Sequence, residues 1–221
     1  KPFKRYQLGT VWRNEKLGPG RFREFLQFDA DFVGTENLMA DAELCVLIAE
    51  ILEKCGLNKE DYIIKFSTRK LTDELFEKLK INLKDKRLKI LRSLDKLDRL
   101  GWGDVEKLLG KGRKDKSGDF TKGADLTTDQ IKTIKEVFKE KSIYSSDKYA
   151  EGSKSDIRQM TDNLEAFQFK NYIFDPSIIR GLEYYTGPIF EVNLNFEVKN
   201  SKGQAIQFGS IGGGGRYDNL V

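Results

Sequence analysis

Residues 22–32 alternate with period two. Phe22, Leu26, Phe28, Ala30 and Phe32 share one parity, with Glu24 as the misfit, and Arg23, Phe25, Gln27, Asp29 and Asp31 share the other. Successive side chains of a strand point to opposite faces, so this stretch predicts a strand with its apolar set toward a core and its polar set on the other side. Residues 6–15 predict a partner strand, with Tyr6, Leu8, Thr10 and Trp12 on one face and Arg13 and Glu15 on the other. The Gly/Pro-containing residues 16–21 between them suit an antiparallel connection. From residue 44 the period lengthens. Leu44, Leu47, Ile48, Ile51 and Leu52 recur at helical spacing, Asp41 is placed as a cap, and Gly56 stands where a C-terminal cap belongs. Residues 62–68 again read as a strand.

From about residue 70 to 159 the chain becomes rich in Lys, Asp and Glu, with helical spacing at 73–80 and 128–141 and a Gly/Lys/Asp-rich loop at 111–123. The whole stretch is expected to be a mostly helical insertion. Strand patterns return near Tyr172 and from Tyr184 onward, where Phe190, Val192, Leu194, Phe196 and Val198 alternate with Glu191, Asn193, Asn195 and Glu197. A turn at 200–203 leads into a further strand over 204–211, followed by four glycines, Gly212 to Gly215, and Arg216-Tyr217-Asp218. Strands at both ends with helices between predict an α+β fold. Its antiparallel sheet, flanked by helices, would be built from residues 1–69 and 161–221, with 70–160 as a helical insertion domain.

Composition narrows the chemistry. Among 221 residues there is no histidine. That removes the usual general base, every Ser-His triad and every His-ligated zinc site, leaving Arg, Lys, carboxylates, Tyr and backbone amides. Such a set suits electrostatic handling of phosphates. The net charge of +4 permits a nucleic-acid partner, although a Lys-rich surface accounts for it equally well. Cys45 and Cys55 fall in one predicted helix, too far apart for a metal knuckle, and two unpaired thiols fit a reducing cytoplasm. No apolar run approaches a membrane span. The pattern opens in mid-element at Lys1, so the chain is read as a fragment.

Arg13, Glu15, Arg21 and Phe25 lie across one predicted hairpin as Arg-x-Glu, loop, Arg-x-x-x-Phe. An arginine fork can meet phosphate oxygens, a ring can stack a base, and a carboxylate can accept from an exocyclic amine. The bland reading is a surface hairpin with ordinary charged pairs. The arrangement resembles motif 2 of the class II aminoacyl-tRNA synthetases, and its continuation from Gly20 to Asp31 narrows the resemblance to the histidyl branch. Arg180-Gly181-Leu182-Glu183-Tyr184-Tyr185-Thr186-Gly187 is similar to the signature of that branch, and Gly213-Gly214-Gly215-Arg216-Tyr217-Asp218 to its glycine-rich companion.

The resemblance implies histidine–tRNA ligase activity: ATP-dependent formation of histidyl-adenylate, then transfer of histidine to the 3′ end of tRNA(His). It implies that Arg13 holds the α-phosphate, that Glu15 and Arg21 touch ATP, and that Phe25 stacks on adenine. Gln27 and Asp31 would receive histidine, with Asp31 facing its ammonium group. Arg180 would act on the α-phosphate where other class II branches use a metal ion, and on the bound histidine. Tyr184, Tyr185, Gly213 and Tyr217 would shape the imidazole pocket, with Tyr185 preferred over Tyr184 as the ligand. ATP is implied as substrate and brings Mg2+; no protein-ligated metal is expected. A cytoplasmic homodimer is implied for the full-length protein, although motif 1, motif 3 and the anticodon-binding domain are not found here. The insertion would contact tRNA, or be simply a solvated helical surface. The alternatives are a non-catalytic relative, such as an ATP phosphoribosyltransferase regulatory subunit, and a plain RNA-binding protein.

Overall fold

The period-two stretches near the N-terminus form an antiparallel ribbon of β1 (Phe3–Trp12) and β2 (Glu24–Val33), which sets Tyr6 opposite Ala30, Leu8 opposite Phe28 and Thr10 opposite Leu26. The structure, a computed structural model, describes all residues except Glu15, Lys16, Pro19, Lys116, Ser117, 141–148, 181–183, 200–202, Gln204, Gln207, Phe208, Leu220, Val221 and the side chain of Asp98. Within the described residues the chain divides into two compact units. One comprises Lys1–Ile64, Met160–Tyr172 and Glu191–Gly213; the other comprises Lys65–Gln159, Ile173–Phe190 and Gly214–Val221.

In the first unit, the ribbon's faces separate as the alternation predicts, but their burial does not. Leu26 is 67% exposed, Tyr6 77% and Trp12 71%, whereas Phe25 and Gln27 on the polar face are half-buried. The expected core side of β2 is therefore corrected to an exposed one. A two-stranded ribbon has two open faces, and an apolar face is buried only where another layer lies over it. β1 also ends at Trp12 rather than at residue 15, although Arg13 N–H still donates to Arg23 O at 2.8 Å.

Helix α1 (Met39–Lys54) follows. Its cap is corrected from Asp41 to Leu38, which offers no side-chain cap bond; Asn37 just before it accepts from Met39 N–H at 2.9 Å, and Asp41 lies buried in the first turn. At the far end Gly56 adopts φ 101°. Gly56 N–H donates to Glu53 O and Leu57 N–H to Leu52 O, the paired bonds that close a helix through a left-handed residue. The buried stripe is Ala42, Cys45 and Ala49, and desolvation holds the Cys45 thiol in its neutral form.

β3 (Tyr62–Thr68), β6 (Tyr172–Phe174), β7 (Pro188–Leu194) and β10 (Gly212–Gly215) form a sheet in the order β10-β7-β3-β6. Asn195 N–H meets Asp61 O while Arg69 N–H meets Gly187 O, so β7 runs antiparallel to β3. Ile211 N–H meets Val192 O while Arg216 N–H meets Pro188 O, so β10 runs antiparallel to β7. Ile64 N–H meets Asn171 O, and Asp175 N–H meets Phe66 O. β6 therefore lies parallel to β3, an exception to the purely antiparallel expectation. The strand expected from Tyr184 begins at Pro188 and ends at Leu194, and only Ala205–Ile206 of the stretch 204–211 is a strand (β9), paired with β8 (Val198–Lys199). Of the predicted turn at 200–203 only Gly203 is described, with φ 74°.

The second unit carries α2 (Arg69–Lys78), α3 (Lys84–Leu94), α4 (Leu97–Leu109) and α5 (Thr128–Lys139), and α6 (Glu151–Ala166) begins within it. α5 starts on a reciprocal cap, with Thr127 and Gln130 each bonding the other's backbone. Of the last two residues of the helix predicted over 128–141, Glu140 is the C-cap and Lys141 lies outside the described residues. Residues 111–123, expected as a loop, contain the hairpin of β4 (Gly112–Lys114) and β5 (Phe120–Lys122). Backbone pairing holds this hairpin without an apolar face, so no alternation announces it. The buried Asp156 accepts from Thr68 Oγ1 at 2.8 Å and Lys70 Nζ at 2.7 Å, fastening the start of α6 to the β3–α2 junction. No helix among the described residues is long and apolar enough to cross a membrane.

Candidate active site

On the polar face of the ribbon, the register sets Gly9 opposite Gln27 and Val11 opposite Phe25, with open space at the Cβ position of Gly9. Arg13 Nη2 donates to Gln27 Oε1 at 2.7 Å, and its guanidinium carbon stands 5.1 Å from the centroid of the Phe25 ring. Gln27 Nε2 donates in turn to both carboxylate oxygens of Asp29, at 2.8 and 3.0 Å. Asp29 thus turns the amide so that its oxygen faces Arg13. Farther along the same face, Asp31 lies 3.5 Å from Arg5 Nη1, and Arg5 Nη2 donates to Gln7 at 2.7 Å. These pairs are partly exposed, so their use lies in orientation more than in stability.

Arg21 is exposed at the ribbon's tip, where its backbone bridges Gly18, and a Cβ built on Gly209 would stand 3.6 Å from its guanidinium. Gly213 is exposed within β10. Glu15 lies outside the described residues. The structure therefore brings Arg13, Phe25 and Gln27 into one contact cluster and gives Asp31 a separate partner. A guanidinium fork beside an aromatic ring can bind a phosphate and stack a base.

A second cluster lies in the other unit. Tyr185 is buried at 8% exposure against Ile178 and Ile189. Tyr184 stands 4.8 Å from the Tyr185 ring and meets Tyr217 edge-on at 6.3 Å. Burial pushes the Tyr185 phenol above its ordinary range, while the half-buried Arg180 beside it pulls the other way. Gly181–Glu183, between these two, lie outside the described residues. The glycine run becomes intelligible as β10. A Cβ on Gly215 would lie 2.8 Å from Tyr185 Cδ1, and one on Gly214 would lie 2.9 Å from the Phe190 ring. Only glycine lets the backbone come this near the tyrosine.

Sequence reasoning missed Arg5, Asp29, Thr186 and Asp218 as participants. Asp29 shares the parity of Gln27 and could have been found. Arg5 becomes the partner of Asp31 only through the register. Among the described residues, no group of His, Cys, Asp and Glu is arranged to hold a metal ion.

A family model described as histidyl-tRNA synthetase matches residues 2–221. The chain is 47% identical to the histidine–tRNA ligase of Bartonella henselae, over all of this chain and 48% of that protein. It is 44% identical to that of Jannaschia sp., over all of this chain and 47% of that protein. It thus spans about half the length of the curated relatives it matches. The crystal structure of histidyl-tRNA synthetase from Nostoc sp. PCC 7120 superposes with a TM-score of 0.69 at 25% identity, covering 87% of this chain and 44% of that one. An ATP phosphoribosyltransferase regulatory subunit/histidyl-tRNA synthetase from Bacillus halodurans gives 0.67 at 18% identity, a likeness of fold alone. With the family match running almost end to end, and two relatives above 40% identity along all of it, the chain belongs to the histidyl-tRNA synthetase family.

Proposed function

We propose that the full-length protein activates histidine with ATP and transfers it to tRNA(His), and that this chain carries part of the activation site, incomplete for catalysis by itself. The observation that carries the reading is the Arg13–Gln27–Phe25 cluster, in a chain of this family that also retains Arg180, Tyr185 and Tyr217. In the first step a histidine carboxylate oxygen attacks the α-phosphorus in line, the bond to the bridging oxygen breaks, and pyrophosphate leaves. Charge shifts among phosphate oxygens and no side chain need take a proton, so the lack of histidine in the chain is no obstacle. Arg13 holds the α-phosphate, Phe25 stacks on adenine, and Arg21 and Glu15 meet the rest of ATP. Arg180 offsets the charge that grows at the α-phosphate. Gln27 and Asp31 receive the histidine ammonium end, and Tyr185, Tyr184, Tyr217 and the Gly213 backbone surround its imidazole. Mg2+ arrives with ATP as part of the substrate.

In the second step the terminal ribose hydroxyl of tRNA attacks the acyl carbon and AMP leaves. The helical insertion at 70–160 either contacts the tRNA or is a solvated helical surface, and the full-length protein works as a homodimer in the cytoplasm. A regulatory, non-catalytic role is the weaker reading, because Arg13, Gln27, Arg180, Tyr185 and Tyr217 are all present here, where such relatives are expected to lack parts of this set.

Thermal denaturation of the full-length protein in the presence of each of the twenty amino acids tests the assignment. Histidine alone should raise the midpoint, by the equivalent of about 2.7 kcal/mol when present at about 100 times its dissociation constant. A response led by another amino acid would reassign the substrate.

A further inference from the structure

Two segments meet beside the tyrosine cluster. One carries Tyr184, Tyr185, Thr186 and Gly187; the other carries Arg216, Tyr217 and Asp218. Their backbones are joined by Thr186 N–H to Arg216 O at 2.8 Å and by Arg216 N–H to Pro188 O at 2.9 Å. Beyond that ladder a side-chain lock closes. Thr186 Oγ1 donates to Asp218 Oδ2 at 2.6 Å and accepts from Asp218 N–H at 3.2 Å. Arg216 Nη1 donates to Asp218 Oδ1 at 3.1 Å, its side chain only 11% exposed. A Cβ on Gly187 would stand 3.0 Å from Arg216 Cδ, so the arginine stem lies directly over that glycine.

We infer that Asp218 is a positioning residue for the substrate's imidazole: by locking Thr186 and Arg216 it fixes the backbone on both sides of Tyr217 and sets the three tyrosine rings against one another. This rests on the function proposed above. The lock requires the carboxylate form, since Oδ1 and Oδ2 both accept. Burial works against that charge, but the Thr186 and Arg216 hydrogen bonds outweigh it and hold the carboxyl below its usual range. Thr186 has a matching role. Its hydroxyl serves one donor and one acceptor at once, which valine, of the same shape, cannot do.

The lock acts through the tyrosine segments that surround the imidazole, so its loss should separate histidine from ATP. In pyrophosphate exchange with the full-length protein, Asp218→Ala and Thr186→Val should each raise the KM for histidine roughly 10-fold, while kcat and the KM for ATP change by less than about 3-fold. Thr186→Ser, which keeps the hydroxyl, should restore the histidine KM. The double variant Asp218→Ala/Thr186→Val should be no worse than the poorer single one, because both remove the same lock. An unchanged histidine KM in Thr186→Val, or an equal rise in both KM values, would overturn the inference even with wild-type exchange intact. If the wild type shows no histidine-dependent exchange, the functional reading fails and this inference falls with it.

Discussion

Arg13 and Arg180 are the two cations of the proposed chemistry, and their surroundings assign them different work. Arg13 is bonded to Gln27 and lies over Phe25, so its guanidinium is oriented before any nucleotide arrives. Arg180 is half-buried beside the Tyr185 phenol, and in the proposed chemistry it acts mainly as charge grows in the transition state. Arg180→Ala should therefore lower histidine-dependent pyrophosphate exchange by about 10²-fold or more, with a much smaller change in equilibrium histidine binding. Arg180→Lys should recover little, because a point charge does not reproduce the planar fork. Collapsed histidine affinity with unchanged exchange would make Arg180 a pocket residue only. A second residue makes a prediction about stability. Tyr62 is fully buried, and burial together with its bond to Glu53 pushes its phenol up to about 12. The folded state thus holds this proton more tightly than the unfolded chain does. The contribution is complete below about pH 10 and is lost as pH rises toward 12. In urea melts from pH 9 to 12, Tyr62→Phe should flatten the wild-type decline; identical slopes would remove Tyr62 from the account. At this scale the sequence was most informative. Parity alone placed Phe25, Gln27 and Asp31 on one face of β2, whereas the partner of Asp31 depended on a register that no local pattern encodes.

Among the elements, β10 shows how a backbone without side chains can pack closely against aromatic rings. Four glycines carry no hydrophobic alternation, so the strand is invisible to periodicity, and its reason appears only when Phe190 and Tyr185 are seen against it. Gly215→Ala should force Tyr185 or Ile189 aside, costing about 1–3 kcal/mol of stability and weakening histidine binding. Gly103→Ala is the contrast. Gly103 is exposed in α4 with open space around its Cβ position, so alanine should stabilise by up to about 1 kcal/mol and leave binding alone. Calorimetry of both variants beside histidine titration checks the pair, and a harmless Gly215→Ala would remove the close-approach explanation. The β4–β5 hairpin escaped prediction for a related reason, since its pairing uses backbone bonds. The cap of α1 is misread at Asp41 because the true cap, Leu38, is not a capping residue type, and the bond from Asn37 to Met39 N–H appears only in the geometry. By contrast, α5 is legible from its helical spacing, and the Thr127–Gln130 cap that the structure adds agrees with its start.

For the molecule as a whole, the order β10-β7-β3-β6 joins strands from distant parts of the chain, which local spacing does not specify. The family motifs supplied what periodicity lacked, because each ties a short stretch to a known place in a known fold. The apolar face of the ribbon remained misread for the opposite reason: parity identifies a face but not whether anything covers it. The central claim is that these elements serve histidine activation, and ATP–pyrophosphate exchange with the full-length protein tests it most directly. Radioactive pyrophosphate should enter ATP when histidine is present, and the exchange should be absent without amino acid or with any of the other nineteen. Exchange driven by a different amino acid, or no exchange with histidine while ATP and histidine both bind, would contradict the account.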